Sequence, residues 1–198
     1  MKSRNVVRLF FTTLLIGGLS TLITSFFVKN DAYLKFMNPF DWFEILGVVL
    51  FFLTLGFVFS LISQMGFFAY LTANQFALSV FRSFWPMIQI VIIAFALFDL
   101  IYFRYKSLEG GTITTFILSA IALFVYGFIV AAIKAKETNK TAFIPALFFM
   151  VVITSIEWVP GLRTEGGDYA WLMIVPLVIC NTYQLLILHR LTEKGAKK

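Results

Sequence analysis

WPMIQIVIIAFALFDLIYFRY, residues 85–105, carries a single acidic residue, Asp99, in a run long enough to cross a bilayer as a helix. A transmembrane helix needs about 20 apolar residues. Helical neighbours lie three or four positions apart, so Asp99 shares a face with Phe95 and Tyr102, and Arg104 closes the run. A carboxylate at membrane depth costs about 2.5–3.5 kcal/mol on insertion scales, so it calls for a partner or a wet cavity.

The rest of the chain has the same character. Its 198 residues are 60% hydrophobic and 18% aromatic, with a mean hydropathy of +0.91. A soluble domain of this size has too little interior for that much apolar surface. The fold class this predicts is all-α: a polytopic, six-transmembrane-helix bundle forming one membrane domain over 1–198. Expected spans are about 6–28, 45–63, 85–103, 112–133, 142–158 and 169–189, with an extra cytoplasmic interfacial helix at about 66–84. The basic start at Lys2, Arg4 and Arg8 precedes an apolar run too long for a cleavable signal, so 6–28 reads as a retained helix.

The net charge of +6 does not imply a nucleic-acid partner, because the basic residues sit at the ends of apolar runs, where they set topology. With Lys29, Lys35, Arg104, Lys106 and Arg163 outside, the other eleven of the 16 Lys and Arg residues fall inside. Both termini are therefore expected in the cytoplasm of a multi-pass plasma-membrane protein. One cysteine, Cys180, permits no intrachain disulfide, and one histidine, His189, argues against histidine-based metal sites.

Two surfaces stand out. Thr13, Gly17, Thr21 and Thr24 form a small-residue stripe on the first span, a pattern that lets helices approach closely. In 64–84, Thr72, Gln75, Ser79 and Arg82 share a polar face, while Phe67, Leu71, Leu78 and Phe81 share an apolar one. That amphipathic pattern fits a helix lying in the interface; a re-entrant or partner-docking element is the alternative. Thr13, Gly17, Thr21, Gln75 and Arg82 thus mark a candidate partner or packing surface. Pro176 should kink the last span, and Asn181 with Gln184 should make interhelical hydrogen bonds.

In this topology Asp99 and Glu157 both fall in the outer third of the bilayer, flanked by Arg104 and Arg163. Asp99, Tyr102, Arg104, Glu157 and Arg163 form a candidate intramembrane polar cluster. It either holds the bundle together or makes a small outward-facing pocket that senses or binds something cationic, or that protonates. The chain has no H-E-x-x-H, G-x-S-x-G, P-loop or G-x-G-x-x-G sequence. No catalytic residue, metal or cofactor is therefore expected, and an intramembrane hydrolase is the weakest reading.

QMGFFAYL (64–71), FDLIYFRY (98–105), IKAKETNKTAFIPALFFM (133–150), IEWVP (156–160) and NTYQLLILHRL (181–191) occur together with an opening SRNVVRLFFTTLLIGG (3–18). Together these strings resemble the KinB-signalling pathway activation (KbaA) family of Bacillus-type spore formers. The resemblance implies a plasma-membrane protein required by a sensor histidine kinase, KinB, that feeds the sporulation phosphorelay. It supplies no functional residues. The expected function is a non-enzymatic regulator, with membrane lipids and the kinase's transmembrane helices as partners. The alternative is a small transporter or lipid/ion-binding protein that controls a signal for that kinase.

Overall fold

A computed structural model describes residues 3–37, 40–107, 113–164 and 167–196, and all the regular structure among them is helical. In chain order the helices are α1 (Ser3–Val28), α2 (Asn30–Leu34), α3 (Trp42–Phe81), α4 (Trp85–Ser107), α5 (Ile113–Glu137), α6 (Phe143–Phe148), α7 (Thr154–Leu162) and α8 (Gly167–Ala196). A 3-10 turn, Arg82–Phe84, joins α3 to α4, and a π-helical turn, Phe149–Ile153, joins α6 to α7. Five helical stretches among the described residues are long and apolar enough to cross a membrane: Arg4–Val28, Trp42–Tyr102, Ile113–Glu137, Lys140–Leu162 and Gly167–Leu191.

The structure departs from the sequence reading after Ser63. No break separates 45–63 from the interfacial helix expected at 66–84. Both belong to α3, a helix of 40 residues and about 60 Å at 1.5 Å per residue. Nothing between Trp42 and Phe81 stops a helix: there is no proline, and the Asp41 side chain caps the start by accepting from Phe43 N at 3.0 Å. The second span and the amphipathic segment are one rod whose side-chain pattern changes along its length. The last span, expected as one helix, is one: α8 runs through Pro176.

The reversal comes at Arg82, which adopts a left-handed backbone, φ 48°. That region costs a non-glycine residue about 1–2 kcal/mol. Arg82→Gly is therefore expected to match or exceed the wild-type melting temperature in detergent, and Arg82→Val to fall below it. A valine variant as stable as the glycine variant would remove the strain argument.

The chain separates into two compact units. One comprises residues 66–156. In it, Trp85 Nε1 donates to Asn74 Oδ1 at 2.7 Å, fastening the start of α4 to α3 across the turn. Tyr70 donates its hydroxyl to Pro145 O at 2.8 Å and stacks on Phe148, while Phe67 meets Phe149 edge-on. Gly127 lets α5 approach the π turn, where an added Cβ would lie 3.1 Å from Val151 and 3.2 Å from Met150.

The other unit joins residues 1–65 to 157–198 and is built on α1, the first part of α3, and α8. Its tightest point is the meeting of Gly17 with Gly56. A Cβ on Gly56 would stand 2.6 Å from Gly17 O and 2.7 Å from Gly18 Cα, so only two glycines allow this approach. The stripe on α1 faces this contact. Thr13 and Thr21 are fully buried and direct their hydroxyls to carbonyls of their own helix, Leu9 O and Gly17 O, each at 2.8 Å. With its donors used internally, the stripe offers a packing face. Thr13, Gly17 and Thr21 thus face the interior of this unit.

Candidate functional site

The polar groups of the second unit converge on Glu157, in the first turn of α7. Its carboxylate is only 6% exposed. Oε2 accepts from Asn181 Nδ2 at 2.6 Å. Asn181 Oδ1 accepts from Ser63 Oγ at 2.6 Å, and Ser63 Oγ accepts in turn from Gln184 Nε2 at 2.6 Å. Three helices thus contribute to one file: α7 gives Glu157, α3 gives Ser63, and α8 gives Asn181 and Gln184. Beside it, Gln64 Nε2 donates to Ser60 Oγ at 3.2 Å and to Phe10 O at 3.4 Å.

Local sequence explains the arrangement. Ser60, Ser63 and Gln64 have i, i+3, i+4 spacing, so an otherwise apolar helix presents them on one face. Asn181 and Gln184 are likewise one turn apart on α8. The preceding π turn holds one residue more than an α turn, which rotates the faces that follow it. Phe149, Met150 and Val151 before Thr154 are wholly buried, and Glu157 after it is nearly so.

The file has a direction. Donation runs from Gln184 to Ser63 to Asn181 to Glu157, so every dipole in it supports a negative carboxylate. Three acceptors remain unfilled: Glu157 Oε1, Gln184 Oε1 and Gln64 Oε1 are buried without a hydrogen-bond donor among the described residues. No cation of those residues pairs with Glu157. Lys29 pairs with Asp168 at 2.9 Å at the surface, and Arg163 is exposed. The structure thus surrounds one carboxylate with neutral oxygens and amides.

The five residues read as one polar cluster come from both units of the chain. Asp99 and Tyr102 belong to the 66–156 unit, Glu157 and Arg163 to the other. Asp99 is half-buried with no hydrogen bond or ion pair among the described residues, and Tyr102 stacks on Phe98. The Arg104 side chain lies outside the described residues. Glu157 was expected in the outer third of the bilayer, together with Asp99. Its partner Asn181 stands about 18 Å along α8 from Tyr169, at 1.5 Å per residue. Asn181 and Gln184 do make the interhelical bonds expected of them. Ser63 and Gln64 were missed as members of the site, although their spacing with Ser60 was the signal. Gln75 and Arg82 are exposed on the last part of α3 and its turn.

The family model described as KinB-signalling pathway activation in sporulation matches residues 17–191. The chain is 40% identical over 198 residues to the KinB-signaling pathway activation protein of Bacillus subtilis (strain 168), covering 98% of this chain and all of the relative. No solved structure matches it.

Proposed function

Because the chain belongs to the KinB-signalling pathway activation family, we propose that it is a non-catalytic membrane protein that raises the activity of the sensor kinase KinB by packing against the kinase's transmembrane helices. The observation that carries this reading is the near-full-length relationship to a protein named for activating that pathway. In this reading the helices make six crossings with both termini in the cytoplasm, and α3 and α4 cross separately on either side of the Arg82 turn. A partner shifts a two-state kinase only by binding one state better. The α1 stripe is consumed by Gly56, Ser60 and Cys180, which leaves the exposed end of α3. There Gln75 and Arg82 stand among the exposed Phe76, Val80, Phe81 and Phe84.

The test is KinB autophosphorylation in membrane vesicles made with and without this protein, at matched kinase levels. A several-fold higher rate with the protein present is expected, and Arg82→Glu should reduce it while the protein still accumulates. An unchanged rate in vesicles, with cells still requiring the protein, overturns direct regulation. A second reading, a small transporter or ion-binding protein controlling a signal for the kinase, draws its support from the buried Glu157 file.

A further inference from the structure

The Glu157 file raises a question of charge that packing alone does not answer. A buried carboxylate without a counter-charge is strongly destabilising, and the described residues provide none. Hydrogen bonds from Asn181 alone leave Oε1 bare. Around it the chain supplies further acceptors: the Gln184 and Gln64 amide oxygens, buried and unfilled, and the hydroxyls of Ser60 and Ser63. A concentration of oxygens with one negative charge suits one positive charge. Divalent ions draw on more carboxylates than this unit buries, since Glu157 is the only buried acidic residue in it among those described.

We propose that Glu157, with Asn181, Ser63, Gln184 and Gln64, forms an internal site for one positive charge, either an alkali cation or a proton. The inference stands whether the chain regulates its kinase by contact or through an ion. Among the described residues, no charged side chain other than Glu157 faces the site. The elements around it contribute Thr13 and Gly17 from α1, Ser60, Ser63 and Gln64 from α3, and Cys180, Asn181 and Gln184 from α8. The one titratable group among them is the buried Cys180 thiol, which points to Thr13 O at 3.7 Å.

The two carriers differ in what they require of the file. An alkali cation leaves the direction of donation as it is and is held by Glu157 Oε1 with neighbouring amide oxygens. A proton on Glu157 turns the carboxyl into a donor. The file can then reverse: Glu157 donates to the Asn181 oxygen, the Asn181 amide to Ser63 Oγ, and the Ser63 hydroxyl to the Gln184 oxygen. Both side-chain amides reorient by half a turn within the same three contacts, and Gln184 Nε2 gives up its further bond to Cys180 O at 3.2 Å. Reversal fills the Gln184 oxygen, which the present direction leaves without a donor.

The experiment uses the full-length protein in detergent micelles. Its melting temperature is measured in NaCl, KCl and choline chloride at equal ionic strength, and separately in choline chloride from about pH 8 down to about pH 5. A cation site predicts a rise with Na+ or K+ over choline. A proton site predicts a rise as the pH falls, because the neutral carboxyl belongs to the folded state. In either arm the expected shift is about 5–10 °C when the carrier is about 100-fold above its Kd. Glu157→Gln keeps the shape without the charge and should lose the response, while Ser63→Ala should keep it with a displaced midpoint. Should Glu157→Gln fail to fold, infrared spectra of the wild type carry the test. A buried carboxylic C=O band growing with acid supports the proton, and a carboxylate band shifted by Na+ or K+ supports the cation. A wild-type protein indifferent to pH and cation by both methods, or a Glu157→Gln variant responding as wild type does, overturns the proposal.

Discussion

Gly56→Ile is expected to abolish accumulation of the folded protein. The first added atom already meets Gly17 O at 2.6 Å, Gly18 Cα at 2.7 Å and Thr21 Oγ1 at 2.7 Å. Two of those are backbone atoms, which cannot swing aside as a side chain does. Relief requires α1 to move off α3, and α1 also packs along α8. Overpacking a core costs typically about 1–3 kcal/mol where side chains can adjust. Against rigid backbone the loss is expected at the top of that range or beyond it. Gly18→Ala should be milder, because its new methyl meets the Phe57 ring, which can rotate. Gly47→Ile is the control, since nothing stands within 4 Å of an added Cβ there. Steady-state levels and melting curves of the three variants make the comparison. A Gly56→Ile protein that melts with the wild type would show that the two helices do not meet here.

Asn181→Leu should be the most damaging single change in the polar file, and its harm should be reversible by a second substitution. The variant removes the donor to Glu157 Oε2 and the acceptor for Ser63 together. Breaking a buried charged contact by removing one partner costs about 3–5 kcal/mol, because the other is left uncompensated. Replacing both by apolar groups of similar size is often neutral. Glu157→Leu/Asn181→Leu is therefore expected to regain most of the stability lost by Asn181→Leu. It should also fail to restore any response to cation or acid. Denaturation of the four proteins in a double-mutant cycle gives the interaction term directly. An additive cycle would mean that the 2.6 Å contact carries no energy.

Much of the helical architecture was legible because hydropathy alone reports it. Apolar runs of 20 or so residues leave little alternative to helices. What hydropathy does not report is where one helix ends when no breaker marks the place. The amphipathic pattern after Ser63 signalled a new environment and was read as a new element, whereas α3 continues to Phe81. The site was legible in part. Asp99 and Glu157 were both conspicuous as rare acids in apolar surroundings, and sequence could not tell which had a partner, because that depends on which helices meet. The answer lay in three smaller signals: Ser60, Ser63 and Gln64 on one face of α3, Asn181 and Gln184 on one face of α8, and Glu157 after the π turn. Each is weak alone, and only packing joins them.

The division of one unit between the two ends of the chain also sets a schedule for biogenesis. Ser63 is made 118 residues before Asn181, the acceptor of its hydroxyl. At about 5–20 residues per second of synthesis, roughly 6–24 s separate them. During that interval α1 and α3 can already dock through Gly17 and Gly56, since both belong to the first 65 residues. Gln64 has a local outlet as well, bonding back to Ser60 one turn away. The nascent chain is thus equipped to shelter its early polar groups while it waits. Glu157 has no such shelter: its donor follows 24 residues later in the last helix to emerge. A chain whose synthesis stops before Asn181 leaves the acid without its donor, a mark that sets an unfinished copy apart from a complete one.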